Sequence, residues 1–302
     1  MNIMALFNAL PGACAQGLIW GIMAIGVYIT YKILDVADLT VDGTMCTGGA
    51  VFVVLMTSGC NIYVALLCAF IAGVLAGLIT GIFHTFMGIP AILAGILTQL
   101  ALYSINLRIL GSPNQAINVR KYNLLVSLLY VPQSIAIAAL VVTVLIVVLY
   151  WFFGTELGCA LRSTGSNPAM SRAQGINTNF TTVLGLMLSN GLVALSSALL
   201  SQYQGFADVS MGRGAIVIGL AAVIIGDGIF GKVFTNFALK LLSVVIGSVI
   251  YYAVYSLVIW LGMSGDDMKL ITSLIVALFL SIPYWKGKYF SKPAKKGGAA
   301  NA

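Results

Sequence analysis

Apolar runs long enough to cross a bilayer, joined by polar connectors too short to fold alone, leave this chain almost no soluble architecture. A helix rises about 1.5 Å per residue, so a hydrocarbon core of roughly 30 Å takes about 20 residues. Runs of that order cover residues 13–34, 62–87, 90–110, 132–153, 180–203, 214–230, 234–261 and 270–285. A shorter piece, ending near residue 57, barely spans. The reading is an all-α polytopic membrane protein of about nine transmembrane helices, with the second and seventh least well marked. Residues 1–286 form one transmembrane domain, followed by a basic tail over 287–302.

Composition agrees. Of 302 residues, 60% are hydrophobic and 8% charged, against about 25% charged in soluble domains. The net charge of +7 does not point to nucleic acid, because Lys286, Lys288, Lys292, Lys295 and Lys296 crowd beside the last apolar run. A cytoplasmic tail is expected to be basic in this way. Cys14, Cys46, Cys60, Cys68 and Cys159 form no C-x-x-C pair and read as small apolar residues. His84 is the only histidine, which excludes a histidine metal cluster or a histidine-based triad. The stretch 226–233, GDGIFGKV, approaches a phosphate-binding loop. It lacks the final hydroxyl residue and follows an apolar helix rather than a strand. No catalytic set emerges, and the chain does not read as an enzyme.

One stretch breaks the oily pattern. Residues 154–178 carry Glu156, Arg162 and Arg172 together with a complete helix start. Asn167 can cap free backbone N–H groups, Pro168 suits the first helical position, and Gly175 offers a left-handed stop. A short helix over 168–174 is expected, exposed in a polar loop.

If that loop is cytoplasmic, Lys32, Arg162, Arg172, Lys232 and the tail lysines fall inside, whereas Arg108, Arg120, Lys121, Arg213 and Lys269 fall outside. The inside excess places the N-terminus outside and the C-terminus in the cytoplasm. An N-terminus without a basic signal-peptide region agrees.

Two short wordings recur in register. Residues 21–25, GIMAI, return as GLVAL at 191–195, and ADLTV at 37–41 returns as ADVSM at 207–211. The reading is two four-helix repeats, about 13–110 and 180–286, joined by a fifth helix at 132–153. The odd connector inverts the second copy, as in many transporters. ADLTV is then expected near the inner face and ADVSM near the outer.

Asp35, Asp38 and Asp42 stand three and four apart, so a continuous helix would place them on one face. One reading is a cation or substrate-amine site at a broken helix. The other leaves Asp35 and Asp38 solvated at a membrane edge, with Asp42 capping the next helix. Asp38 is singled out because its repeat partner, Asp208, is also acidic, and intramembrane acids are usually functional. Asp38 with Thr40 and Asp208 with Ser210 are pathway candidates, as are Gln99, Asn106 and Asn190 within spans. Each in-span polar residue also fits a helix–helix hydrogen bond. Gly73, Gly77 and Gly81 repeat every fourth residue, which suits close helix packing inside the bundle.

The polar stretch resembles a known family. Gly158-Cys-Ala-Leu-Arg162, Gly165-Ser-Asn-Pro168 and Gly175-Ile-Asn177 look like the cytoplasmic coupling segment of permeases of ATP-binding-cassette (ABC) importers for branched-chain amino acids, ribose and related solutes. Asp38-Leu-Thr-Val-Asp-Gly43 is similar to an element after that family's first core span. Cys159 departs where an Arg is common. Chain length and the wording of 33–43 look closest to a subgroup whose solutes include tryptophan and tyrosine.

The resemblance implies a bacterial plasma-membrane permease for a small polar solute, acting as a homodimer or with a similar permease. It implies docking on two ATPase subunits that carry ATP and Mg, and solute delivery by an extracellular binding lipoprotein. No cofactor or metal is implied on this chain. Arg162, Gly165, Asn167, Pro168, Arg172 and Gly175 are implied in coupling to the ATPases. Arg120 and Lys121, in an outer connector, could meet an acidic lobe of the binding protein or simply be solvated. A secondary transporter with inverted repeats fits the repeat alone, and a sugar or nucleoside importer fits the family.

Overall fold

In hydrocarbon every backbone N–H and C=O needs an internal partner, so apolar runs of this length form helices. The computed structural model describes residues 3–122, 124–231, 233–261, 270, 273–274, 276–278 and 281. In order come α1 (Ile3–Tyr28), a π-helical turn (Ile29–Ile33), α2 (Thr40–Thr57), α3 (Ile62–Thr85) and α4 (Ala91–Leu110). Strand β1 (Asn114–Ala116) precedes α5 (Val131–Gly154), α6 (Glu156–Ser166), α7 (Pro168–Ala173) and α8 (Thr178–Gln204). Strand β2 (Phe206–Asp208), α9 (Ala215–Phe230) and α10 (Phe237–Trp260) follow.

Among the described residues 7 helices are long and apolar enough to cross a membrane, and α9 is a shorter apolar helix. The expected run at 270–285 lies mostly outside the described residues, and the tail at 287–302 lies wholly outside them. Helix α2 begins at Thr40, before Gly43 rather than after it. The cause is local: Asp38 Oδ1 accepts the Thr40 N–H at 2.9 Å and so starts the helix there.

Helix α8 is the central post. Most of its residues are buried, and α1, α2 and α3 all pack along it, whereas α5 is largely exposed. Helix α3 lies close along it: a Cβ on Gly73 would overlap the Asn190 carbonyl oxygen, and one on Gly77 the Leu186 carbonyl oxygen. The small-residue stripe is thus an internal packing seam, as its spacing suggests. The outward faces of α4 and α5 expose Leu93, Leu97, Val144 and Val148, as surfaces meeting lipid would. One end of the bundle carries α6 and α7. The opposite end carries an antiparallel ribbon pairing Asn114 with Asp208, Gln115 with Ala207 and Ala116 with Phe206.

Candidate translocation and coupling sites

The π turn after α1 ends in a break. Leu34 N–H bonds to the Ile29 carbonyl and Val36 N–H to that of Thr30. Asp35 then takes φ 55°, a left-handed conformation that Asp tolerates better than most residues. Asp35 is exposed, as the membrane-edge reading expects; Asp38 is not. It is only 3% exposed, and its Oδ2 accepts from Asn190 Nδ2 at 2.7 Å. Asn190 Oδ1 in turn accepts from Thr44 Oγ1 at 2.8 Å. Asn190 stands about 18 Å along α8 from its start, so Asp38 sits near mid-depth, held by neutral donors. Beside it Thr40 shares a hydrogen bond with Thr80 at 2.8 Å, and Thr80 donates to Thr98 at 2.9 Å. That hydroxyl chain ties the start of α2 to α3 and α4.

Asp208 makes the same local turn elsewhere. Its Oδ1 accepts the Ser210 N–H at 2.6 Å and also bonds the Ser210 hydroxyl. Asn114 Nδ2 reaches Oδ2 at 3.3 Å across the ribbon. Burial pushes this carboxyl up, but the Ser210 and Asn114 bonds and the nearby Arg213 charge outweigh it and leave it below its ordinary value. Asp208 therefore lies at the ribbon end, whereas Asp38 lies in the middle.

Asp42 does something its spacing in the sequence does not announce. It lies inside α2, where its Oδ2 accepts the Gly214 N–H and its Oδ1 the Ile216 N–H, both at 3.0 Å. It caps α9, not its own helix. The starts of α2 and α9 thus meet within the bundle, and a carboxylate satisfies donors at the positive end of a helix. Next to this junction is a cavity of about 450 Å³ lined by Asp42, Gln99, Tyr103, Asn106 and Arg213 among others. Gln99 and Asn106 therefore come together, while Asn190 is apart from this cavity's lining and bonded to Asp38. Charged groups at this depth belong against water or protein rather than lipid, which marks the α2–α4 side as the polar side. Asp42, Tyr103 and Arg213 are the members of this group not among the pathway candidates read from the sequence. Of these, Arg213 is the one the sequence marks, as a cation two residues beyond ADVSM.

At the opposite end, α7 is built as its caps predict. Asn167 Oδ1 accepts the Met170 N–H at 3.0 Å, Pro168 opens the helix, and Gly175 takes φ 84°. The helix ends at Ala173 rather than 174, a difference of one residue. Arg172 is exposed, with Nε 3.3 Å from the Pro168 carbonyl. Arg162 instead stacks over Phe237 at 4.1 Å and Phe153 at 5.3 Å from the ring centroids. It clamps α6 to the ends of α5 and α10.

Helix α6 is absent from the sequence reading. Thr155 caps it by accepting the Gly158 N–H at 3.4 Å, with Glu156 in its first turn. Thr155-Glu156 ahead of an apolar face at Gly158, Leu161 and Thr164 could have marked it. That face seats α6 on the bundle, where Thr164 and Thr181 share a hydrogen bond at 2.8 Å. A Cβ on Gly165 would overlap the Ile33 carbonyl oxygen and stand 2.8 Å from Leu34 Cα. The α6–α7 unit therefore rests directly on the helix break that leads to Asp38.

Arg120 and Lys121 are exposed in a turn at the ribbon end, where Asn118 Oδ1 accepts the Arg120 N–H at 3.1 Å. Of the stretch 226–233, Gly226 to Phe230 continue α9 rather than forming a loop, Asp227 pairs with Lys32 at 3.1 Å, and Lys232 lies outside the described residues.

Comparison with known proteins agrees with this architecture. The family described as branched-chain amino acid transport system, permease component, matches residues 11–282. The tyrosine transport system permease protein of Clostridioides difficile is 42% identical over 266 residues, covering 88% of each chain. The galactofuranose transporter permease protein of Escherichia coli is 25% identical, covering 81% of this chain and 71% of its own. Among solved structures, PsaBC from Streptococcus pneumoniae shares the fold with a TM-score of 0.53 at 16% identity, covering 95% of this chain and 100% of its own. A profile match across nearly the whole chain, on a bundle with this polar junction, leaves one assignment: the chain belongs to the family of permease components of branched-chain amino acid transport systems.

Proposed function

We propose that this chain is the transmembrane permease of an ATP-driven importer of a small polar solute, an amino acid with an aromatic side chain being the first candidate. The observation that carries the mechanism is the seating of α6–α7 on the α1 break through Gly165 and Ile33. A load applied to α7 by an ATPase passes through the packed α6 to residues 33–34, and from there to Asp38 and the start of α2. Two ATPase subunits with ATP and Mg bind at the α6–α7 end, which is cytoplasmic. An extracellular solute-binding lipoprotein docks at the ribbon end, with Arg120 and Lys121 at the contact. The permease works as a homodimer or with a similar partner in a bacterial plasma membrane.

The inverted repeat belongs to this reading. Asp38 with Thr40 and Asp208 with Ser210 make the same turn, and α2 and α9, which follow them, are both short. Helix α2 runs away from the α6–α7 end and α9 runs toward it, as an inverted pair would. The amino-acid assignment is supported by the tyrosine permease relative at 42% identity, and a sugar solute by the galactofuranose permease at 25%.

The test is uptake of radiolabelled L-tyrosine into membrane vesicles with the full transporter and ATP. Uptake is expected to stop when the ATPase subunits are stripped and to return when they are restored. Unchanged uptake in stripped vesicles would sink the ATP-driven reading in favour of a secondary transporter. Binding assays on the partner lipoprotein decide between an amino acid and a sugar.

A further inference from the structure

The cavity beside the α2–α9 junction holds an oxygen that the fold leaves unused. Asn106 is fully buried, and its Nδ2 donates to the Gly43 carbonyl at 3.3 Å. That bond fixes the amide so that Oδ1 is the acceptor, and among the described residues Oδ1 has no hydrogen-bond partner. A buried polar atom left unpaired costs roughly 1–3 kcal/mol, and Asn106 is among the residues that line the cavity, which together point to a donor that visits it. The wall beside Asn106 carries both signs of charge, Asp42 and Arg213. Asp42 receives backbone N–H groups rather than the guanidinium, and each carboxylate oxygen keeps a second lone pair for another donor.

We infer that this cavity is a solute site that recognises the zwitterionic head of an amino acid. The α-ammonium, with three donors, bonds Asn106 Oδ1 and the free lone pairs of Asp42. The α-carboxylate bonds the fork of Arg213, and Tyr103 with Gln99 flanks the solute side chain. A cavity of about 450 Å³ suits a small molecule of that size. A neutral sugar could bond Asn106 but would strip water from both Asp42 and Arg213 without replacing it with charge. This inference rests on the permease reading and narrows its solute class.

The test uses the purified permease with its ATPase subunits, carrying Leu100→Cys at the exposed rim of the cavity. Maleimide labelling of that cysteine, read by mass spectrometry, reports occupancy without the binding protein. L-tyrosine is expected to protect it. Tyramine, which lacks the carboxylate, hydroxyphenylpropionate, which lacks the ammonium, and D-ribose are expected to protect at least tenfold less well. Adding Arg213→Gln or Asn106→Leu should raise the half-protecting L-tyrosine concentration by about tenfold or more, the range for a hydrogen bond to a charged group. Within Arg213→Gln the preference for L-tyrosine over tyramine should vanish, a ratio that does not depend on how much protein folds.

If L-tyrosine is taken up with ATP but leaves Leu100→Cys unprotected, or protects all variants equally, the site is overturned and the permease reading stands. If L-tyrosine protects as expected but uptake needs no ATP, the site stands and the ATP-driven reading falls. Protection by D-ribose in place of L-tyrosine would overturn the zwitterion site and the amino-acid assignment together.

Discussion

Asn190 is the residue on which most of the buried polar geometry depends. It donates to Asp38 and accepts from Thr44 while standing in the central helix. Replacing it with Leu removes both bonds and leaves a carboxylate at mid-depth short of a donor. Asn190→Leu should therefore destabilise the protein by roughly 3 kcal/mol, the upper end for an unsatisfied buried group. Asp38→Asn should be milder, because an amide oxygen can still accept from Thr40. Thermal unfolding of the two variants in detergent measures the difference, and equal midpoints would refute the network. The sequence singled out Asp38 through its repeat partner, and the structure buries it against Asn190. The sequence could not show that Asp42 serves a helix start more than 170 residues away, because spacing along one helix carries no information about which other helix approaches it.

At the scale of elements, α7 was readable residue by residue because caps are local chemistry, whereas α6 was not. The weight of an amphipathic helix comes from the surface it packs on, and that surface is built from α5, α8 and the break after α1. Gly165 tests the contact. A methyl group there must push the Ile33 carbonyl aside, so Gly165→Ala should cost about 2 kcal/mol through overpacking and abolish solute-stimulated ATP hydrolysis. Asn167→Ala should cost only about 1 kcal/mol of local helix stability and weaken that stimulation with membrane insertion intact. Comparing ATPase stimulation in the two variants ranks the contact against the cap; a larger loss from Asn167→Ala would contradict the load path through Gly165.

The β1–β2 ribbon offers a pH test of an element. Asp208 has its carboxyl held below its ordinary 3.8, so the charged form is the one the fold favours. Its contribution is complete above the ordinary value and fades as pH falls through the lowered one. Amide exchange at Ser210, compared between parent and Asp208→Asn, should show protection in the parent at pH 5 that the variant lacks. Toward pH 2 the two should converge. Protection that persists unchanged in acid would show that the turn does not depend on the charge.

For the whole molecule, the span pattern was legible because hydrocarbon imposes length and saturation on every crossing helix. Helix breaks were not, because a short helix starting at mid-depth reads as a weak span: this is why α2 and α9 were the poorly marked runs. Their placement sets which end of the bundle is which, and two native thiols can report it. Cys60 is exposed between α2 and α3, and Cys159 is exposed on α6, at the opposite end. In intact cells with the outer barrier opened, a membrane-impermeant maleimide should label Cys60 and spare Cys159. Permeabilised membranes should label both, with Cys60→Ser and Cys159→Ser assigning the bands. The reverse pattern would turn the molecule over, put α7 outside, and contradict the proposed docking of ATPase subunits at the α6–α7 end.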